Sequence, residues 1–255
     1  MTIPRLDHAP LSGQPTLQTI RAAGWSSGFA NLWRKEGQHW WGTWRWLWQI
    51  VIWILIVDGT IISAQSANNV PASEKMLGII DIVLVAYALF PPIGAVVMAQ
   101  GKMLDEWQSG TAGWILSKPV TRSAFLLSKF ADLPSMLLVM VLLPGLIAYP
   151  EIRFLIGYTP SLVTFGLMLG LGACFIIFLY CFLLLLGTRL KRRAVILGLG
   201  LLACFSMFGA IINSSTISTI ARGQVLFSLL IMAALLTGGL FCMLLALWLF
   251  THEEF

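Results

Sequence analysis

The chain has 255 residues, of which 58% are hydrophobic and only 11% are charged, and its mean hydropathy is +0.86. Soluble domains carry about 25% charged residues, so this composition excludes an ordinary water-soluble globule. It also excludes a disordered chain, a collagen and a coiled coil. At roughly 20 apolar residues per crossing, the chain is long enough to cross a bilayer about six times.

Two different segments precede the first long apolar stretch. Residues 1–25 are polar and mixed, and we expect them to form a cytoplasmic tail without a cleavable signal peptide. In residues 26–43 and at the first residue of the following span, Phe29, Trp33, Trp40 and Trp44 recur at helical spacing. This spacing predicts an amphipathic entry helix that lies in the plane of the membrane interface. A simple aromatic belt at the start of the first span is the alternative.

Residues 44–255 carry six apolar stretches and predict an all-α, six-span transmembrane domain. The predicted spans are 44–64, 77–99, one that begins between 123 and 133 and ends near 149, 161–187, 194–212 and 225–250.

The lysines and arginines predict the orientation of these spans. With the N-terminus inside, 13 of the 16 Lys and Arg residues fall in inner segments. Positive residues mark the cytoplasmic side, so both termini are expected in the cytoplasm. The net charge of +5 is then information about orientation, and we expect contact with membrane lipid and none with nucleic acid.

Motifs for catalysis are missing from the sequence. The four cysteines, Cys174, Cys181, Cys204 and Cys242, lie in apolar runs without a CxxC pair, which argues against a disulfide framework or a zinc site. There is no HExxH, no GxSxG and no GxxxxGK[ST] phosphate loop. We therefore expect no enzyme, no metal and no cofactor in this chain.

A few polar and proline residues within the spans are candidates for a substrate pathway. Asp58 and Asp81 lie at similar depth near the outer ends of neighbouring spans, where interfacial roles are the alternative. Asp132 is expected to cap a helix. Pro91 and Pro92 should break or kink the second span, either to line the pathway or as a purely structural feature.

The loop at residues 101–129 is longer than a tight turn requires. Its first part, with Leu104, Asp105, Glu106 and Trp107, has the pattern of a short amphipathic helix below the membrane. Such a helix can dock a cytoplasmic partner or lie on lipid. The adjacent anions Asp105 and Glu106 favour a protein partner over an anionic lipid surface.

The loop resembles that of ABC type-2 transporter permeases, the membrane subunits of ATP-binding-cassette exporters. In that family, an acidic residue, a Ser-Gly-Thr-like turn, a Pro-x-x-Arg motif and a lysine follow the second span. The matching residues are Glu106, Ser109-Gly110-Thr111, Pro119 to Arg122, and Lys129. The segment Leu32-Trp33-Arg34-Lys35-Glu36 resembles the entry helix of the same family.

The resemblance implies a transport subunit in a bacterial inner membrane. It would work as a dimer, with an identical copy or a close paralogue, and each copy would contact a separate ATPase subunit that binds ATP and magnesium. The implied coupling helix, which docks that ATPase, includes Asp105, Glu106, Trp107, Gly110 and Thr111. Pro119, Arg122 and Lys129 would fix the return of the loop to the membrane.

Two other functions are compatible with the sequence. The first is a membrane-embedded enzyme acting on lipid or peptide, with Asp58 and Asp81 as an acid–base pair. The absence of histidine, serine or metal motifs near these aspartates argues against it. The second is a non-transporting sensor or immunity scaffold with a permease-like fold. The transported substrate is not indicated by any motif.

Overall fold

The part of the chain that the structure describes is all-α and contains six helices that are long and apolar enough to cross a membrane. The computed structural model describes residues 28–65, 72–118, 120–156, 161–190, 192–212 and 224–252. In chain order the helices are α1 (Phe29–Trp41), α2 (Arg45–Gln65), α3 (Ala72–Ala99), α4 (Gly101–Gln108), α5 (Thr111–Leu116), α6 (Arg122–Ser128), α7 (Leu133–Leu137), α8 (Leu143–Ile156), α9 (Leu162–Arg189), α10 (Arg193–Ile212) and α11 (Val225–His252).

Four of the predicted spans are confirmed within two residues at either end. They correspond to α2, α9, α10 and α11. Each is a nearly uninterrupted apolar run, and a run of this length satisfies all its backbone hydrogen bonds internally only as a helix. The length of each apolar run was therefore sufficient to predict these four helices.

The second span is continuous through Pro91 and Pro92, so the predicted break is wrong. Pro91 lacks the N–H that would bond the carbonyl of Tyr87 one turn earlier. That carbonyl faces α9 at Gly172, where an added β-carbon would lie 3.6 Å from it. The bare glycine lets the α9 backbone come close to the freed carbonyl, and both prolines are buried in the helix bundle.

Helix α4 prolongs the second span beyond its predicted end. Only Gln100 separates α3 from α4, and its backbone angles are helical. Its N–H also donates to the carbonyl of Val96 at 3.1 Å, which continues the α-helical hydrogen-bond pattern. The amphipathic segment is thus joined to the span by helical backbone, and a displacement of α4 is transmitted directly to α3.

The third span is a helical run from Arg122 to Ile156, longer than predicted at both ends. Thr121 caps its start by accepting the N–H of Ala124 at 3.3 Å. A 3-10 turn at Lys129–Asp132 joins α6 to α7, and a π-helical turn at Leu138–Leu142 joins α7 to α8. Because Pro134 has no N–H for the Phe130 carbonyl, Leu133 donates to that carbonyl instead, as 3-10 winding requires.

Helix α9 forms the centre of the bundle. It packs along α11 and α3 and also contacts α4, α7 and α10. Its side chains Phe175, Ile176, Leu179 and Tyr180 are at most 1% exposed. A buried central helix of this kind positions the elements around it, including the segments of the loop at residues 101–129 that are predicted to carry function.

Candidate functional site

Helix α1 lies against α6 and the 3-10 turn at Lys129–Asp132. Its inward stripe is Leu32, Glu36 and Trp40, spaced four residues apart. Of the predicted aromatic face, Trp40 turns inward, whereas Trp33 and Trp44 are 38% and 77% exposed. The aromatic face is therefore divided between the protein interior and the surroundings, and a carboxylate occupies the centre of the inward side.

Lys129 is the partner of that carboxylate. Its side chain is 2% exposed, and its Nζ lies 2.9 Å from Glu36 Oε1 and 2.7 Å from Glu106 Oε1. The same ammonium lies 5.0 Å from the ring centroid of Phe125, within the range of a cation–π interaction. One buried lysine thus joins α1, α4 and the start of the third span.

A second ion pair lies beside the first. Lys102 of α4 pairs with Asp132, whose side chain is 1% exposed. The expectation that Asp132 caps a helix is wrong, because its side chain makes no capping hydrogen bond at the start of α7. A buried carboxylate is stabilised more by a facing ammonium than by one backbone N–H. We call Glu36, Lys102, Glu106, Lys129 and Asp132 the ion cluster.

The central helix also contacts the ion cluster. The hydroxyl of Tyr180, a fully buried side chain of α9, donates a hydrogen bond to the backbone carbonyl of Lys129. In a 3-10 turn followed by a proline, main-chain carbonyls lose part of their usual helical partners. Tyr180 replaces such a partner and holds the turn that carries both Lys129 and Asp132.

The charges of the ion cluster are nearly balanced, with three carboxylates and two ammonium groups. Glu106 Oε2 and Asp132 Oδ1 are buried and have no hydrogen-bond partner among the described residues. A cavity of 480 Å³ opens beside Glu106. It is lined by Lys35, Glu36, Gln38, Gly101, Lys102, Asp105, Glu106 and Lys129. The ion cluster is thus a polar joint at the base of the loop, with free acceptor atoms.

Asp105 does not belong to this joint. Its side chain is 62% exposed and its closest cation, Arg193 Nη1, lies 3.8 Å away with a side chain that is 56% exposed. Exposed pairs at this distance contribute at most about 1 kcal/mol to stability. Of the two adjacent acids that the sequence singled out, Glu106 points inward to Lys129 and Asp105 remains on the surface.

The tip of the loop is formed by the short helix α5. Gly110 precedes it with φ 72°, a left-handed conformation that favours glycine, and the hydroxyls of Ser109 and Thr111 hydrogen-bond across this turn. Ala112 and Ile115 of α5 are buried against the core, whereas Trp114 is 60% exposed. The Nζ atom of Lys118 lies over the ring of Trp114, 3.5 Å from the ring centroid.

Trp107 belongs to the bundle more than to the exposed tip. Its ring meets that of Phe250 edge-on at a centroid distance of 6.3 Å, and Phe125 stacks on Phe250 at 5.7 Å. Arg122 Nη1 donates to the carbonyl of Thr251 at 3.2 Å, near the end of α11. The loop is therefore tied to the last helix as well as to α1. Pro119 lies outside the described residues.

The candidate pathway residues lie on two helices, Asp58 on α2 and Asp81, Pro91 and Pro92 on α3. Asp58 lies on α2, and its side chain faces Glu151 of α8, a residue that the sequence analysis placed beyond the third span. The backbone of Asp81 is part of α3, but its side chain lies outside the described residues. Pro91 and Pro92 are buried in the interior of the bundle. The depth argument therefore found Asp58 and missed the carboxyl group beside it.

No protein-family model matches this chain, and a search of curated proteins finds no match. The interpretation of the ion cluster and of the loop tip accordingly depends on their own geometry and chemistry.

Proposed function

We propose that this chain is the permease subunit of an ABC transporter of the type-2 exporter class. The observation that supports this most is the meeting of Glu36, Glu106 and Lys129 around one buried ammonium. These are three of the residues on which the sequence resemblance was based, and they come from three separate segments. A loop that only connects two spans has no need for such a joint.

The proposed mechanism is mechanical. An ATPase subunit binds ATP and magnesium and pushes on the tip of the loop. Because α4 continues α3 through helical backbone, the push moves the second span. Because Glu106 of α4 is paired with Lys129, and Lys129 with Glu36, the same push moves α1 and the start of the third span. Breaking a buried ion pair costs about 3–5 kcal/mol, so these elements move together.

The proposed docking surface is the exposed side of the tip. It combines Asp105 at the end of α4, the Ser109–Gly110 turn, and Trp114 with Lys118 from the region of α5. Large, exposed aromatic side chains are typical anchors of protein interfaces. Glu106 and Trp107, which the sequence analysis placed in this surface, act behind it as the connection to the bundle.

A second copy of the chain, or lipid, is proposed to cover the outer apolar faces of α2 and α10. Trp48, Ile52 and Leu55 of α2 are largely exposed, as are Leu202 and Phe205 of α10. Side chains of this size are stable when exposed only in an apolar medium or in an interface. Such faces support a location in a membrane, and we propose that the chain is part of a dimeric permease in a bacterial inner membrane that exports a substrate from the cytoplasm.

Co-expression with the ATPase encoded by a neighbouring gene tests the proposal. A tag on this chain should recover the ATPase, and Trp114→Glu should reduce that recovery at least tenfold. Trp44→Glu is the matched control, since Trp44 is 77% exposed but lies outside the loop, and it should leave recovery unchanged. If no ATPase is recovered with the native chain, or if both variants behave alike, the proposal is wrong, and a non-transporting scaffold or membrane enzyme becomes the better hypothesis.

A further inference from the structure

A pair of carboxyl groups lies well away from the ion cluster, between the first and third spans. Asp58 is about 20 Å along α2 from the start of that helix at the usual rise per residue. Its side chain lies within hydrogen-bonding range of the side chain of Glu151 on α8. Helices α2 and α8 pack against each other along this stretch, so the helix packing itself holds the two carboxyl groups together.

This pair lacks a donor when both groups are ionised. A carboxylate has only acceptor atoms, so two carboxylates cannot hydrogen-bond to each other. Asp58 Oδ1 and Glu151 Oε2 are buried and have no partner among the residues whose side chains are described. Neither carboxyl group forms an ion pair with a described lysine, arginine or histidine. Arg153, which is two residues further along α8 than Glu151, is exposed.

A third polar group points to the same place. Tyr87 of α3 is 2% exposed, its hydroxyl has no hydrogen-bond partner among the described residues, and it lies within electrostatic range of Asp58. An unpaired, buried hydroxyl is costly unless a partner is supplied to it. Helices α2 and α8 therefore hold two carboxyl oxygens without partners in a site without a described cation, and the buried hydroxyl of Tyr87 on α3 is a third polar group within electrostatic range of Asp58.

We propose that Asp58 and Glu151 together bind one proton at neutral pH. Two negative charges in hydrogen-bonding range repel each other strongly in a poorly solvated place, and one shared proton removes the repulsion and supplies the missing donor. A metal ion is the less suitable occupant, since the described residues contain no group of three or more His, Cys, Asp or Glu side chains that could hold one.

The consequence for the protein is a pH-sensitive contact between α2 and α8. With the proton bound, the two carboxyl groups attract each other and hold these helices together. Without it, two like charges face each other and favour separation of the helices at this level. This inference does not depend on the proposed transport function, because it concerns the chemistry of the isolated chain.

Infrared spectroscopy of the full-length protein in a detergent that contains no carbonyl group tests the proposal. A protonated carboxyl group has a carbonyl stretch that a carboxylate lacks, so the native protein should show this band at pH 7 and lose it at high pH. Asp58→Asn and Glu151→Gln should each abolish the band at pH 7, because the remaining carboxyl group then accepts a hydrogen bond from an amide and ionises. Absence of the band from the native protein overturns the proposal.

Two controls assign the band. Asp105→Asn removes an exposed carboxylate that faces Arg193 and should leave the band unchanged. Asp81→Asn should also leave it unchanged, and loss of the band in that variant would assign the proton elsewhere and overturn the proposal. If the Asp58 or Glu151 variants do not fold, ¹³C labelling of aspartate and glutamate carboxyl groups in the native protein is decisive. A band shifted by neither label does not arise from this pair.

Discussion

Lys129 Nζ lies 2.7 Å from Glu106 Oε1, and this ion pair closes the loop between the second and third spans at its base. Both residues were singled out in the sequence, but as members of different functional groups, one for docking and one for the return to the membrane. Their contact joins the two ends of the loop at a fixed base and leaves the tip exposed.

Removal of the central ammonium should destabilise the protein strongly. Lys129→Met leaves Glu36 and Glu106 without the ammonium that pairs with both of them, and we expect a loss of about 3–5 kcal/mol in the free energy of unfolding. Thermal unfolding in detergent measures the effect. Lys118→Met, a change in an exposed lysine, is the control and should have little effect.

Neutralising the two partners should restore the Lys129→Met variant. With Glu36→Gln and Glu106→Gln added, no uncompensated charge remains, and most of the lost stability should return, since a buried ion pair contributes little more than a neutral replacement. A triple variant as unstable as Lys129→Met alone would show that the ammonium acts through its shape or its contact with Phe125, and not through the ion pairs.

Charge reversal should distinguish the two adjacent acids of α4. Glu106→Arg places a second cation against the buried Lys129 and should sharply lower the yield of folded protein, measured by size-exclusion chromatography. Asp105→Arg changes a side chain that is 62% exposed and should leave the yield within twofold of the native level. Equal yields for the two variants would contradict the inward assignment of Glu106.

The contact between Trp107 and Phe250 should couple the loop to the last helix. A double-mutant cycle with Trp107→Ala and Phe250→Ala measures this coupling from four unfolding free energies. We expect an interaction of about 0.5–1.5 kcal/mol, the usual range for an aromatic pair. Trp107→Ala combined with Leu240→Ala on the exposed face of α11 should show none, and strict additivity in the first cycle would disprove the coupling.

Gly94 should be required for the packing of α3 on α2. A β-carbon at Gly94 would lie 2.4 Å from the ring of Trp53, which is 8% exposed. Gly94→Ala should therefore lower the free energy of unfolding by about 1–3 kcal/mol, as overpacking commonly does. Gly198→Ala is the matched control, because nothing lies within 4 Å of the added carbon in α10, and it should be neutral or slightly stabilising.

The candidate site was only partly predictable. Glu36, Glu106 and Lys129 stood out by residue type and by resemblance, but nothing in the pattern said that they share one cluster. Lys102 and Tyr180 had no distinguishing signal, since a lysine after a span and a tyrosine within one are both common. Glu151 was missed because the third span was predicted to end near residue 149, whereas the helix continues through Pro150 to Ile156.

The sequence pattern also could not predict which loop residues are exposed and which are buried. Asp105 and Glu106 are neighbours in sequence and have the same charge, and only the position of α4 against the 3-10 turn makes one a surface group and the other a buried one. Trp107 and Trp114 differ in the same way. Helical periodicity predicts which residues share a face, but it does not say what that face meets.

Six long apolar runs were enough to predict an all-α membrane protein and most of its spans. A backbone that crosses the hydrocarbon region finds no water there, so it is stable only when its hydrogen bonds are satisfied internally. That constraint acts along each segment separately and can be evaluated from local composition. The ion cluster and the Asp58–Glu151 pair depend on distances between segments far apart in the chain. Such distances arise from helix packing, in which the absence of a β-carbon at Gly172 or Gly94 decides how closely two backbones approach.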